Sequence, residues 1–263
     1  MSESATSVPA ATILMLRDHP TNGLEVFTVI RHHQIDFASG ALVFPGGRVD
    51  AGDAEVRDHC EGAVKMDGAA CAFMAGAIRE AFEECGILLA RTAGESDLIS
   101  GERLATLEPY RDSLHEGKIS LLEFLQKEKL TLAFDHLQHF AHWITPEMMP
   151  KRFDTHFYLA VAPEDHIAVH DGHESVDSIW ISPQDAIEGA DTGKYTIIFP
   201  TRLNIEMLGE STSVENAIEM AKARTIIPVL PQLESREDGE YLCIPVEAGY
   251  RVIEFRMEDI IKP

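Results

Sequence analysis

The sequence predicts an α/β fold, a mixed β-sheet flanked by helices, on three observations. Two apolar runs, "ATILMLRD" and "LEVFTVIRHH", are joined by the turn-forming "HPTNG", the mark of an antiparallel hairpin. Residues from Ala75 to about Ala90 repeat their apolar positions at the helical period instead. Further along, "RFDTHFYLAVAP" reads as a strand and "DSIWISPQDAIEG" as a strand turning into a helix.

Taken in order, residues 1–9 are small and polar and are expected to form a flexible tail. The hairpin follows, and "SGALVFPGG" is a third short strand ended by Pro45 and two glycines. Beyond the Ala75 helix, "SLLEFLQKEKL" predicts another helix within a long excursion that ends near "LTLAFDHLQHFAHWITP". Ser182 is the expected N-cap of the helix after "DSIWI", with Pro183 at its first position. Two more helices are expected around "TRLNIEMLGE" and "SVENAIEMAKAR", then a turn-rich, β-like tail. There is no internal repeat and no low-complexity linker.

The 263 residues carry 44 Asp and Glu against 22 Lys and Arg, a net charge of -22. Such a chain repels a phosphate backbone, so nucleic acid is not an expected partner, although a metal or a local basic cluster would still admit a small anion. Cys60, Cys71, Cys85 and Cys243 show no C-x-x-C spacing and read as reduced thiols. No apolar run approaches the length that spans a bilayer, so no membrane partner is expected and the expected location is cytoplasmic.

The chemistry is concentrated on the Ala75 helix. Glu80, Glu83 and Glu84 fall at i, i+3 and i+4 and share a face, opposite Ile78, Phe82, Cys85 and Leu89. Three like charges in one turn repel each other, and Arg79 can pair with Glu83 but cannot neutralise all three. A divalent cation with hard oxygen ligands can, which points to Mg2+ or Mn2+. On "REAFEE" alone, a solvated acidic face is the competing reading. The glycine turn at Phe44-Pro45-Gly46-Gly47 favours the metal, because bare backbone can approach a cation or phosphate closely.

"GGRVDAGD" followed by "REAFEECGI" resembles the Nudix box, G-x5-E-x7-R-E-U-x-E-E-x-G-U with U a bulky aliphatic residue. Gly47 matches the leading glycine, and Arg79, Glu80, Glu83, Glu84, Gly86 and Ile87 match the second half. Asp53 replaces the first Glu and Ala81 a bulky position. Residues 54–78, 25 in all, stand where the family has seven. Extra loop length costs closure entropy only logarithmically, so the interruption need not disturb the site. This interrupted box is similar to the Nudix branch typified by the peroxisomal coenzyme A diphosphatases.

The resemblance implies an α/β/α sandwich, a single domain over residues 10–263, with insertions at about 54–74 and 92–130 and a helical C-terminal extension from about 200. It implies that Glu80, Glu83 and Glu84, with the Gly46 carbonyl, hold Mg2+ or Mn2+, that Arg79 fixes the carboxylates, and that Asp53 supports them. Glu174 is the expected acidic residue from outside the box, as a further ligand or the base for water. The implied partner is a small nucleotide pyrophosphate, with coenzyme A or acyl-CoA favoured. Arg31, Lys151 and Arg152 are candidates for its 3'-phosphate, and Phe44 and Gly47, in G-x3-FPGG, for contacts with substrate. CoA-directed relatives place an Arg four residues before that motif, where this chain has Asp36. ADP-ribose, NADH and a non-catalytic binding module therefore stay open.

His136, His139 and His142 have a spacing suggestive of zinc, but their segment reads as strand, and core or surface roles are expected. His32 and His33, beside Arg31, are better placed to meet substrate. The helical insertions would cover the pocket or form an interface, and a homodimer is the expected assembly.

Overall fold

The computed structural model describes residues 5–31, 41–63, 66–166, 168 and 175–260. Strands β1 (Val8–His19) and β2 (Gly23–Arg31) form the expected hairpin, followed by β3 (Leu42–Val43), β4 (Gly46–Arg48) and helix α1 (Gly68–Cys85). Then come β5 (Ala90–Thr92), α2 (Gly101–Leu107), α3 (Tyr110–His115), α4 (Leu121–Glu128), β6 (Leu130–Leu132), β7 (Gln138–Ile144) and β8 (Phe153–Val161). Next are β9 (Ser175–Ile181), α5 (Pro183–Asp191), α6 (Phe199–Leu208), α7 (Val214–Ala223) and β10 (Pro228–Val229). The last elements are β11 (Gln232–Arg236), β12 (Gly239–Cys243), β13 (Glu254–Arg256) and α8 (Met257–Ile260).

The main sheet has the order β10-β7-β8-β1-β2-β3, with β4 on β1 and β9 on β2. It is mixed, because β1 runs parallel to β8 but antiparallel to β2 and β4. One edge of β1 serves two partners: Leu16–His19 pair with β2, while Ala10–Thr12 pair with β4. The hairpin therefore splits, and the turn linking β3 to β4 enters the opening. That split carries the glycine turn to the middle of the sheet.

Side chains alternate along β1 with the period of two that a strand imposes. Ala11, Ile13 and Met15 join a core with α1, and Leu14 and Leu16 join a second core with α6 and α7. The result is helices on both faces, as expected. β1 begins at Val8, inside the expected tail, because the Val8 N–H donates to the Arg152 carbonyl at 2.9 Å and pairing with β8 starts there.

Helix α1 also begins earlier than its apolar periodicity suggests. The Asp67 side chain caps it by accepting from the Ala70 N–H at 2.7 Å, and the following "GAACAFMAGA" is rich in alanine, the strongest helix former. Much of the chain interrupting the box is thus two further turns of the box helix. At the other end Gly86 adopts φ 70°, the left-handed conformation that stops a helix and favours glycine.

The 92–130 region completes the core on this side of the sheet. Leu104, Leu107, Leu114, Phe124 and Leu125 are buried in the α1 core, and Phe124 stacks on Phe82 with ring centroids 5.6 Å apart. Expected helices with apolar stripes had an apolar surface to meet, and α1 supplied it. The C-terminal region matches the expected pair of helices and then forms the three-stranded sheet β11-β12-β13. No helix among the described residues is long and apolar enough to cross a membrane.

Phe124→Ala is expected to lower stability by about 3–5 kcal/mol, since a large ring leaves a buried cavity. Urea denaturation followed by far-UV circular dichroism should show one shifted transition. An unshifted main transition would mean that the 92–130 helices fold apart from α1.

Candidate active site

The site is assembled around Arg79, whose side chain is 7% exposed. Its Nε donates to Asp53 Oδ1 at 2.9 Å and its Nη2 to Asp53 Oδ2 at 3.0 Å, a bidentate pair. Nη2 also donates to the Arg48 carbonyl at 2.7 Å, while Nη1 donates to Glu80 Oε1 at 2.9 Å and Glu83 Oε1 at 3.3 Å. The guanidinium thus joins the turn after β4 to the carboxylates of α1. Asp53 lies in a single 3-10 turn, Ala51–Ala54, and also accepts from the Asp50 N–H at 2.8 Å.

The acidic face is not a wet one. Glu83 and Glu84 are buried, and the Glu80 side chain is 13% exposed. The β4 turn covers it from one side: the Gly46 N–H donates to Glu84 Oε2 at 2.8 Å, and a Cβ added at Gly47 would sit 2.7 Å from the Glu80 carboxyl. Only glycine permits that approach. From the other side α3 contributes Arg111, whose Nε and Nη2 donate to the Glu83 carbonyl at 3.2 and 3.1 Å. His115 Nδ1 lies 3.8 Å from Glu83 Oε2.

Sequence reasoning missed Arg111 and His115. A signal existed for the first, because Arg111 and Leu114, at i and i+3, place a cation beside a buried apolar position. His115 had none.

Burial outweighs the nearby Arg79 charge and pushes Glu80 and Glu83 up to about 7. Three carboxylates with one shared guanidinium are thus short of positive charge, and their hard oxygens fit a divalent cation such as Mg2+ or Mn2+. Among the expected ligands, Glu80, Glu83 and Glu84 are brought together, and Gly46 is tied to them through its N–H.

The remaining residues are scattered. Phe44 is buried in the second core, on the α6 and α7 side. Lys151 is exposed in the β7–β8 connection, and beside it Arg152 donates to the Thr145 and Ala5 carbonyls at 3.0 and 2.7 Å. Arg31 ends β2, and its side chain, like Glu174, His32, His33 and Asp36, lies outside the described residues.

Residues 55–206 match the family model described as the NUDT19 Nudix domain. A putative nudix hydrolase 7 of Caenorhabditis elegans is 27% identical over 174 residues, 66% of this chain and 52% of that one. The chain therefore spans about half the length of that relative. The acyl-coenzyme A diphosphatase NUDT19 of Homo sapiens is 27% identical over 279 aligned residues, 89% of this chain and 74% of that one. Among solved structures, a NUDIX hydrolase from Alicyclobacillus acidocaldarius superposes with a TM-score of 0.65 at 25% identity, covering 82% of this chain and 96% of that one.

A carboxylate whose folded pKa is raised contributes stability that is complete below its unfolded value and lost as pH rises through the folded one. For Glu83 that window runs from 4.5 to about 7. The metal-free protein should therefore lose melting temperature across that range by calorimetry, and Glu83→Gln should lose less. Parallel curves for the two would show that Glu83 ionises freely.

Proposed function

The chain belongs to the Nudix family, in the group of the NUDT19 Nudix domain, and we propose that it hydrolyses the pyrophosphate bond of a small nucleotide, coenzyme A or acyl-CoA above all. The single observation that supports this most is the clustering of Glu80 and Glu83 on Arg79, pinned by Asp53, with Glu84 held beside them by the Gly46 N–H and Gly47 packed on Glu80. The coenzyme A reading draws on the name of the human relative and on the G-x3-FPGG sequence, Gly40 to Gly47, which resembles the CoA-directed signature.

In the reaction a water oxygen adds to one phosphorus of the P–O–P bridge, and the bridging oxygen leaves with the other phosphate. From coenzyme A this yields phosphopantetheine, acylated or free, and 3',5'-ADP. A divalent cation, Mg2+ or Mn2+, would supply charge neutralisation on the phosphoryl oxygens and a more acidic water. Glu80, Glu83 and Glu84 would hold it, with the Gly46 carbonyl as a backbone ligand.

The chain's own groups do the positioning. Arg79 fixes two of the three carboxylates, the Gly46 N–H orients Glu84, and Arg111 holds the backbone at Glu83. Gly47 lets the β4 backbone approach the Glu80 carboxyl where any side chain would strike it. Glu174 is the proposed base or further ligand. Arg31, Lys151 and Arg152 are the proposed partners of the 3'-phosphate, Phe44 and Gly47 complete the proposed substrate contacts, and a homodimer is the proposed assembly.

A second reading, ADP-ribose or NADH as substrate, is favoured by Asp36, an anion where CoA-directed relatives carry Arg. A binding module without turnover is disfavoured by the three intact glutamates.

Chromatography after incubation with Mg2+ or Mn2+ and, separately, coenzyme A, acetyl-CoA, ADP-ribose and NADH tests these readings. Product from the CoA substrates is expected, and Glu83→Gln should slow it at least about a hundredfold, equivalent to about 3 kcal/mol of transition-state stabilisation. Product only from ADP-ribose or NADH would discard coenzyme A, and none from any would favour the module.

Gly47→Ala should also lower turnover about tenfold or more while leaving the melting temperature within a few degrees. Wild-type kcat in that variant would show that nothing need approach Glu80 closely.

A further inference from the structure

A second cluster of ligating side chains lies on the same face of the sheet, nearer its β10 edge. His142 of β7 is directly opposite His156 of β8, and Asp154 is two residues before His156 and so on its face. One donor atom from each of His142, Asp154 and His156 lies within 4.8 Å of the other two. His142 Nε2 is 2.5 Å from Asp154 Oδ1, and the His142 and His156 rings stack with centroids 4.0 Å apart.

A third histidine reaches the cluster by an irregularity of the strand. Residues 139 and 142, an odd number apart, would face opposite sides of a regular strand. The pairing of β7 with β8 slips between His139 and Ala141, and this bulge re-aims His139 onto the face of His142. His139 Nε2 then lies 3.0 Å from His156 Nδ1. Phe73, from the additional first turns of α1, covers His156 with ring centroids 4.1 Å apart.

We propose that His142, Asp154 and His156 bind one divalent transition-metal ion of the zinc class, with His139 orienting His156 from behind. Two imidazoles and one carboxylate with partial solvent access make the three-ligand set of an open zinc site, water taking the fourth position. Ligands about 2.0–2.2 Å from a shared tetrahedral ion lie about 3.3–3.6 Å from each other, between the 2.5 Å contact and the 4.8 Å limit. Small side-chain rotations close the site. The His156–His139 contact supplies the outer hydrogen bond that fixes a ligating ring and its tautomer.

The cluster is separate from the carboxylates of α1. His156 and Gly47 pair with Ala11 from opposite sides, which puts them two strand spacings apart, about 10 Å. Its ligands also differ in kind, since imidazole selects zinc, cobalt or nickel, whereas the all-oxygen set of Glu80, Glu83 and Glu84 suits magnesium or manganese. The inference therefore stands whether or not the pyrophosphate reading holds.

Chelator-treated protein would be titrated with ZnCl2 by calorimetry and with CoCl2 by visible absorption. One equivalent of zinc is expected in wild type and in Glu83→Gln alike, with a d–d band for cobalt of four- or five-coordinate intensity. His142→Gln and His156→Gln should each weaken zinc at least about tenfold. Zinc binding that persists unchanged in both variants, or that disappears in Glu83→Gln, would overturn the site. Should either variant misfold by circular dichroism, X-ray absorption of the zinc-loaded wild type decides. Two imidazoles per zinc would support the site, and oxygen ligands alone would overturn it.

Discussion

One buried guanidinium holds this structure's functional end together. Each N–H of Arg79 has an acceptor, on Asp53, the Arg48 carbonyl, Glu80 or Glu83. Burying such a cation is tolerable only when its partners are in place, and an unpaired member of such a network costs about 3–5 kcal/mol. The β4 turn, the single turn carrying Asp53 and α1 are therefore fixed relative to one another by chemistry that cannot be partly satisfied.

That requirement explains how a box interrupted by extra chain still closes. The additional residues begin after Asp53, in the turn that follows β4, and return as the first turns of α1, so both ends of the interruption are anchored within Arg79's reach. The 92–130 helices then bury the far side, where Phe124 packs on Phe82 and Arg111 grips the Glu83 carbonyl. Burial in turn makes the carboxylates hard to ionise together without a cation. Packing, charge and cation demand thus have one origin.

The two clusters on this face of the sheet use opposite logic. Around Arg79, acidic groups gather on a helix and are held by a cation and glycine backbone. Between β7 and β8, histidines gather on a pleated face, one of them aimed by a bulge. α1 spans both, with Glu80 over Gly47 and Phe73 over His156.

Local patterns were legible because they depend on near neighbours in sequence. The hairpin, the α4 helix, the α5 helix with its Ser182 cap, and the shared face of Glu80, Glu83 and Glu84 follow from periodicity and capping chemistry. The pairing of Asp53 with Arg79 was expected only as support, since its geometry joins residues 26 apart. What the tertiary structure alone decided were the long-range placements: Arg111 and His115 reaching Glu83, Phe44 turned into the second core, and His139, His142, Asp154 and His156 drawn together. A one-residue slip in strand pairing reverses the face of every side chain beyond it. No local pattern in "HLQHFAHW" encodes such a slip, because the partner strand sets it.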